Sequence, residues 1–506
     1  MLGQRPHFTK TSLCDLTFGC LSFLIYILML LTTDQRHLDF GDGNYLYIAW
    51  RLANGAALYK DILVPQPPLL FVVGAALTLA GGQLQLFRLF SIVLTMLTGV
   101  LVYKMSAMIF RSAAVGLLSG VIYYVLPIHM YWGRGFQADL LMSVFLVLTL
   151  YLLVKGGKRN LVLASLTSLC ASLAKFTFLP VLAFLLVYFF LVDRRGIRHF
   201  ALPTILWHSI ALLALHVYSE GWFTWSVLVT QSRAPYYDSS TMEIFLDGIQ
   251  LILFREGGLV AMAFLGGLMA TRKAENKHDL LLGVTLASSL PIVLTLRQGT
   301  YFYLFTSVEP FVAILSGYAL VRLVQSYATW TSRVRMPQHR LAQVRSLALI
   351  ALMTGSLAYV PTRILLFDQF LNFQLINNWS NAYTVQMVTQ QIEAYSKDQD
   401  EILSPPYFAF LTHRKLVNDF SETWLWLVNY RSGDQKATIM IDSIVRRTSE
   451  KSVKIVIMDW RMQQIPPLSK SVSANYVLIA RFELGGLEGV SVYVPLGSQV
   501  VPGSFR

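Results

Sequence analysis

Apolar runs of 16–24 residues recur along this chain from Cys14 to Pro361. A helix needs about 20 apolar residues to cross the roughly 30 Å of hydrocarbon in a bilayer. A water-soluble domain has no surface on which to place so many such runs. Only 14% of the 506 residues are charged, whereas a soluble domain carries roughly a quarter. A soluble enzyme, a coiled coil and a disordered chain are thereby excluded. What remains is a polytopic α-helical membrane protein with about 11 transmembrane helices. Residues 377–506 contain no spanning run and read as a small C-terminal soluble α/β domain, leaving 1–376 as the transmembrane domain.

The expected spans are 15–33, 89–110, 112–132, 138–155, 161–177, 178–192, 201–219, 257–271, 280–296, 302–324 and 346–361. Whether Pro67–Gly82 also crosses sets the side of everything after it, and charge decides. If that run does not cross, the loops on the side of the N-terminus hold 18 Lys/Arg against 4 Asp/Glu. The opposite loops (34–88, 133–139, 220–256 and 297–309) then hold 8 against 11. Pro67–Gly82 is therefore read as an interfacial or re-entrant helix, with the N-terminus cytoplasmic and the C-terminal domain extracytoplasmic. The net charge of +13 is a topology signal. It is not a nucleic-acid footprint, because no Lys/Arg stripe with interleaved aromatics lies outside the inner loops. The three cysteines, Cys14, Cys20 and Cys170, build no disulfide framework or thiolate metal site. Leu16–Leu31 lacks an A-x-A-like cleavage site and reads as a retained anchor.

In the C-terminal region, Asn381–Lys397 and Asp434–Lys451 read as helices. Ile402–Leu403, Val453–Met458, Tyr476–Phe482 and Val490–Val494 read as strands. No Gly-rich phosphate loop and no metal-ligand spacing occurs there.

Chemistry concentrates in the outer loops. Loop 34–88 places Asp34, Asp39, Asp42 and Asp61 with Arg36, Arg51, Lys60 and Arg88 at a membrane surface. Tyr45–Leu58 reads as an amphipathic helix ending near Gly55, with Asp42 as its N-terminal cap. Arg134 and Asp139 form a second charged spot; Asp139 opens an apolar helix, where an anion suits the macrodipole and an ionisable group at membrane depth is costly. Lys175 lies near the outer end of its span, placed either to snorkel or to meet a phosphate. Arg297, Tyr301, Tyr303 and Glu309 line a further outer-face segment.

The segment Asp42-Gly-Asn-Tyr45-Leu-Tyr47-Ile-Ala49, then Gly55, Leu58-Tyr59-Lys60-Asp61 and Pro67-Pro68-Leu69, resembles the first outer loop of GT-C glycosyltransferases. The nearest branch is the protein O-mannosyltransferase and lipid A aminoarabinose transferase type. Arg88-Leu89, Asp139-Leu-Leu, Tyr303 through Pro310, Ile402-Leu-Ser-Pro-Pro and Thr412-His-Arg414 extend the resemblance. It implies an inverting transfer of a sugar from a polyprenyl-phosphate donor to a lipid, glycan or protein acceptor outside the membrane. Carried over by position, the reacting acids are Asp42 and Asp139. Gly41-Asp42 stands where the family has an Asp-Glu pair, so Asp39 is the substitute. Gln66 stands where a basic residue often precedes the paired prolines. The resemblance then leaves phosphate binding to Arg134, Lys60, Arg51 or Lys175, and loop shaping to Tyr45, Gly55, Tyr59, Asp61, Pro67 and Pro68. A lipid-linked donor needs no nucleotide; a divalent cation held by Asp42 and Asp139 stays open as a way to stabilise the leaving phosphate.

Two other readings compete. A secondary transporter would show broken helices in two matching halves around a midplane site. A carrier-lipid-binding protein would keep the fold while losing activity, a reading that the missing Asp-Glu pair and Gln66 keep open.

Overall fold

The computed structural model describes residues 10–31, 40–126, 133–193, 196–230, 258–272, 275–294, 302–333, 382–484 and 488–498. The first helix, α1 (Lys10–Leu31), precedes two short ones, α2 (Phe40–Ala53) and α3 (Leu69–Leu79). Longer helices follow: α4 (Leu84–Phe110), α5 (Ala113–Val125), α6 (Ala138–Lys155), α7 (Lys158–Ala174) and α8 (Leu179–Leu191). A π turn at Ile197–Ala201 leads into α9 (Leu202–Tyr218); α10 (Gly258–Thr271), α11 (Asn276–Leu294) and α12 (Glu309–Arg333) complete the set. Ten of the expected spans thus meet a helix; the eleventh, 346–361, lies outside the described residues. By length and composition, Leu13–Leu31, Leu84–Phe110, Ala138–Lys155 and Ile197–Tyr218 are each sufficient to cross a membrane.

Pro67–Gly82 holds one short helix, and one expected boundary moves. At 11 residues α3 is about 16 Å long at 1.5 Å per residue, half of what a span needs. The expected 302–324 span begins late: Phe302–Ser307 is a 3-10 turn, and the α-helix starts at Glu309 with Pro310 in its first turn. Proline there loses no hydrogen bond and presets φ for the helix.

The membrane core gathers on α4 and α6, whose inward faces are buried apolar side chains joined by serine and threonine. Those hydroxyls donate to carbonyls within the molecule, as Ser91 Oγ does to Phe87 O at 3.0 Å, which satisfies these donors away from water. Residues facing outward, such as Leu206, Leu213 and Val217 on α9, are exposed and apolar, as a lipid-facing surface requires.

Past residue 381 the structure changes character. Helix α13 (Ala382–Tyr395) leads into β1 (Glu401–Ile402), α14 (Pro406–Leu411) and β2 (Lys415–Leu416), with β1 and β2 parallel. Then come α15 (Thr423–Arg431), α16 (Gln435–Ser449), β3 (Val456–Met458), α17 (Trp460–Gln463), α18 (Pro466–Asn475), β4 (Tyr476–Leu484) and β5 (Glu488–Pro495). The last three strands form an antiparallel sheet in the order β3-β5-β4, with Ile457 opposite Val492. Asp434 caps α16, its carboxylate accepting from the N–H groups of Lys436 and Ala437 at 3.0 and 3.2 Å. Leu403, Val417, Phe420, Leu427, Ile441, Val456 and Met458 share a second apolar core beneath these elements.

Candidate active site

Helix α2 is the hub. Residues Asp42 and Asn44–Ala49 are buried, so the helix is enclosed rather than laid amphipathically on a surface. Asp42 is not its cap: the helix begins two residues earlier, and the Asp42 carboxylate reaches across to another segment. The reason is coverage from two sides. On one side α3 packs so closely that a Cβ on Gly74 would lie 2.6 Å from Ala49 Cβ. On the other, Tyr407 of α14 sits over the first turn, where a Cβ on Gly43 would lie 2.5 Å from Tyr407 Cβ. Position 43 thus needs glycine for close approach.

Asn44, Tyr47 and Arg51 follow the i, i+3, i+7 spacing of one helix face, and that face meets residues 415–422. Asp419 accepts from the Tyr47 hydroxyl at 2.6 Å and from Arg51 Nε and Nη2 at 2.7 and 2.9 Å, a two-pronged pair. The Leu416 N–H donates to the Tyr47 hydroxyl at 2.9 Å. Asn44 Nδ2 donates to Glu422 Oε1. Burial first, then the adjacent Asp419 carboxylate, hold the Tyr47 phenol well above its ordinary range.

The start of α6 supplies the opposite wall. Gln137, extended at φ −123°, precedes the helix and donates from Nε2 to Asp42 Oδ1 at 2.8 Å. Two residues on, Asp139 Oδ2 accepts from Lys175 Nζ at 2.5 Å, and both side chains are buried. Lys175 occupies the extended break between α7 and the 3-10 turn Phe176–Phe178. Arg134, also buried, stands three residues before Gln137 in a segment pinned to α4 by the Thr95 hydroxyl, which donates to Gly133 O at 2.9 Å. Arg88 is buried on α4. Burial pushes the Tyr407 phenol up to about 12, with Arg88 lowering it and Asp42 raising it, which puts both charges within reach of that ring. Glu309 is buried at the start of α12, and its approach turn is tied to α6 by the Ser143 hydroxyl on Thr306 O at 3.0 Å.

Other expected site residues have structural partners. Arg51 is committed to Asp419, and Lys60 forms an exposed pair with Glu220 at 2.7 Å, so neither brings an uncommitted charge to a donor phosphate. Lys175 pairs with Asp139 rather than snorkelling. Tyr59, buried at φ 69°, donates its hydroxyl to Gln66 O at 2.8 Å, while Asp61 accepts from the Ala57 N–H at 2.7 Å. Gly55 turns the chain at φ +88°, Tyr45 is buried on α2, and Pro67 and Pro68 lead into α3. Tyr303 lies in the 3-10 turn before α12. Asp39, Arg297 and Tyr301 lie outside the described residues. Sequence reading passed over Gln137, Asn44, Tyr407, Asp419 and Glu422. Gln137 and Asn44 stand beside residues it chose; Asp419 is more than 360 positions from its partners and has no local signal.

Residues 65–222 match the family model for dolichyl-phosphate-mannose-protein mannosyltransferases. The structure of ArnT from Cupriavidus metallidurans bound to undecaprenyl phosphate superposes with a TM-score of 0.62 at 14% identity, over 97% of this chain and 99% of that one. The chain therefore shares the fold of the GT-C membrane glycosyltransferase ArnT. Two structures of the Archaeoglobus fulgidus oligosaccharyltransferase share this GT-C fold with TM-scores of 0.50. AglB with an inhibitory peptide and a dolichol-phosphate is 11% identical, over 96% of this chain and 75% of that one. The complex with Zn and sulfate is 13% identical, over 94% and 74%. No curated protein matches the chain in sequence.

Among the described residues no three His, Cys, Asp or Glu side chains come together to hold a metal ion. Asp139 already carries an ammonium, and Asp42 accepts from an amide.

Proposed function

We propose that this chain is an inverting glycosyltransferase that moves a sugar from a polyprenyl-phosphate-linked donor to an acceptor hydroxyl or amine at the outer face of the membrane. One observation carries the reading most: the Gln137–Asp42 hydrogen bond at 2.8 Å joins the first outer loop to the start of α6, where Asp139 and Lys175 also lie. Elements far apart in sequence thus supply one buried acidic and basic centre. Undecaprenyl phosphate in ArnT and dolichol-phosphate in AglB indicate the donor class.

In this mechanism the acceptor attacks the anomeric carbon as its proton passes to the Asp42 carboxylate, which Gln137 orients. The bond from that carbon to the phosphate oxygen breaks, and polyprenyl phosphate leaves with the electron pair. Arg134 and Arg88 receive the growing phosphate charge, while Lys175, fixed by Asp139, keeps a positive charge near the start of α6. Attack opposite the leaving group inverts the anomeric centre. The membrane topology belongs to the same proposal: eleven spans, N-terminus cytoplasmic, with residues 377–506 outside the membrane as a soluble domain.

Undecaprenyl phosphate is the probe that tests it. We expect Arg134→Gln to weaken its binding to the protein in nanodiscs about tenfold or more, a lost charge-assisted contact, and Lys60→Gln to leave it within about twofold. Equal affinity in Arg134→Gln and the unaltered protein would remove Arg134 from the donor site.

A further inference from the structure

Glu422 has no place in the chemistry just described, yet it is buried against the very turn that carries Asp42. It reaches that turn from a strained loop, since Asn418 and Asp419 both adopt positive φ (52° and 49°) without being glycine. Such backbone persists only where surrounding contacts impose it, and here the contacts are to α2: Asp419 to Tyr47 and Arg51, Glu422 to Asn44. Asn44 and Asp42 belong to the same turn of that helix. We propose that Glu422 is a positioning residue for the Asp42 centre, acting through Asn44 as a hydrogen-bond latch whose grip depends on its protonation. This rests on the functional reading above for its consequence, but not for its measurement.

The groups around the latch set the direction. From α2 it faces the neutral Asn44 amide; from α17 it faces Arg461, which is itself paired with Asp459 at 3.2 Å. On its own loop, Asp419 is committed to Arg51. Burial dominates and raises the Glu422 carboxyl to about 7, while the Asn44 hydrogen bond and Arg461 lower it. The unfolded value is near the ordinary 4.3. A folded value above the unfolded one means that the folded state binds the extra proton. The latch therefore contributes fully below about pH 4.3 and loses stability progressively up to about pH 7. Above that it carries a constant cost of buried charge.

The test is hydrogen exchange on the full chain in nanodiscs, comparing peptides over 40–53 and 138–155 at about pH 5.5 and about pH 8 after correction for intrinsic rates. In the unaltered protein, opening of 40–53 should rise with pH while 138–155 stays unchanged. Glu422→Gln keeps an acceptor for Asn44 and cannot ionise, so it should retain the low-pH protection and abolish the pH dependence. Glu422→Ala should raise exchange in 40–53 about tenfold at about pH 5.5, as expected for loss of one buried hydrogen bond, and, with no carboxyl to ionise, should show no pH dependence. Unchanged pH dependence in Glu422→Gln, or equal protection in Glu422→Ala and the unaltered protein at about pH 5.5, overturns the proposal. If Glu422→Ala fails to fold, Glu422→Gln alone decides. Because no sugar is transferred in this measurement, its failure is distinct from failure of the transferase reading.

Discussion

Removing either member of the buried Lys175–Asp139 pair deprives the other of a counterion at 2.5 Å, and breaking a buried pair typically costs about 3–5 kcal/mol. Asp139→Asn and Lys175→Met are each expected to lower thermal unfolding in detergent by that order. The double substitution should recover most of the loss, because it leaves no charge behind. Additive losses would show that the two side chains do not depend on each other. These residues were legible in the sequence because ionisable groups at membrane depth are expensive. Their pairing was not: Lys175 lies 36 positions from Asp139, and spacing alone does not tell an ion pair from a phosphate contact.

Helix α2 owes its place to neighbours on both sides, and this is where local sequence pattern fell short. The shortness of α3 followed from run length. The enclosure of α2 did not, because Tyr407, Asp419 and Glu422 arrive from the far end of the chain. A pattern of alternating polar and apolar faces signals solvent only when no polar partner covers the polar face. Here Asn44, Tyr47 and Arg51 meet hydrogen-bonding partners instead. The α2–α3 contact is tight enough to predict a cost. Gly74→Val would place Cβ 2.6 Å from Ala49 and 2.9 Å from Phe136. Overpacking of this kind costs about 1–3 kcal/mol, so thermal unfolding should shift down accordingly. An unshifted transition would mean that α3 slides away without loss.

At the scale of the molecule, three regions converge: helix α2, the start of α6, and the segment after residue 401. The helices themselves were readable from the apolar runs, ten of which meet a helix among the described residues. The C-terminal strands and helices were readable from β-rich runs and turn residues. How that region docks onto α2 was not, since docking depends on pairs separated by more than 360 residues. The central claim is that this convergence makes Asp42 the group that accepts the acceptor's proton. The most direct measurement is sugar transfer from the polyprenyl-phosphate-linked pool of the protein's own membranes, using reconstituted Asp42→Asn with Lys60→Gln as a folded control. A loss of about 10²–10⁴-fold in Asp42→Asn, with Lys60→Gln close to the unaltered protein, is the expected result. Transfer by Asp42→Asn at the unaltered rate would contradict the account.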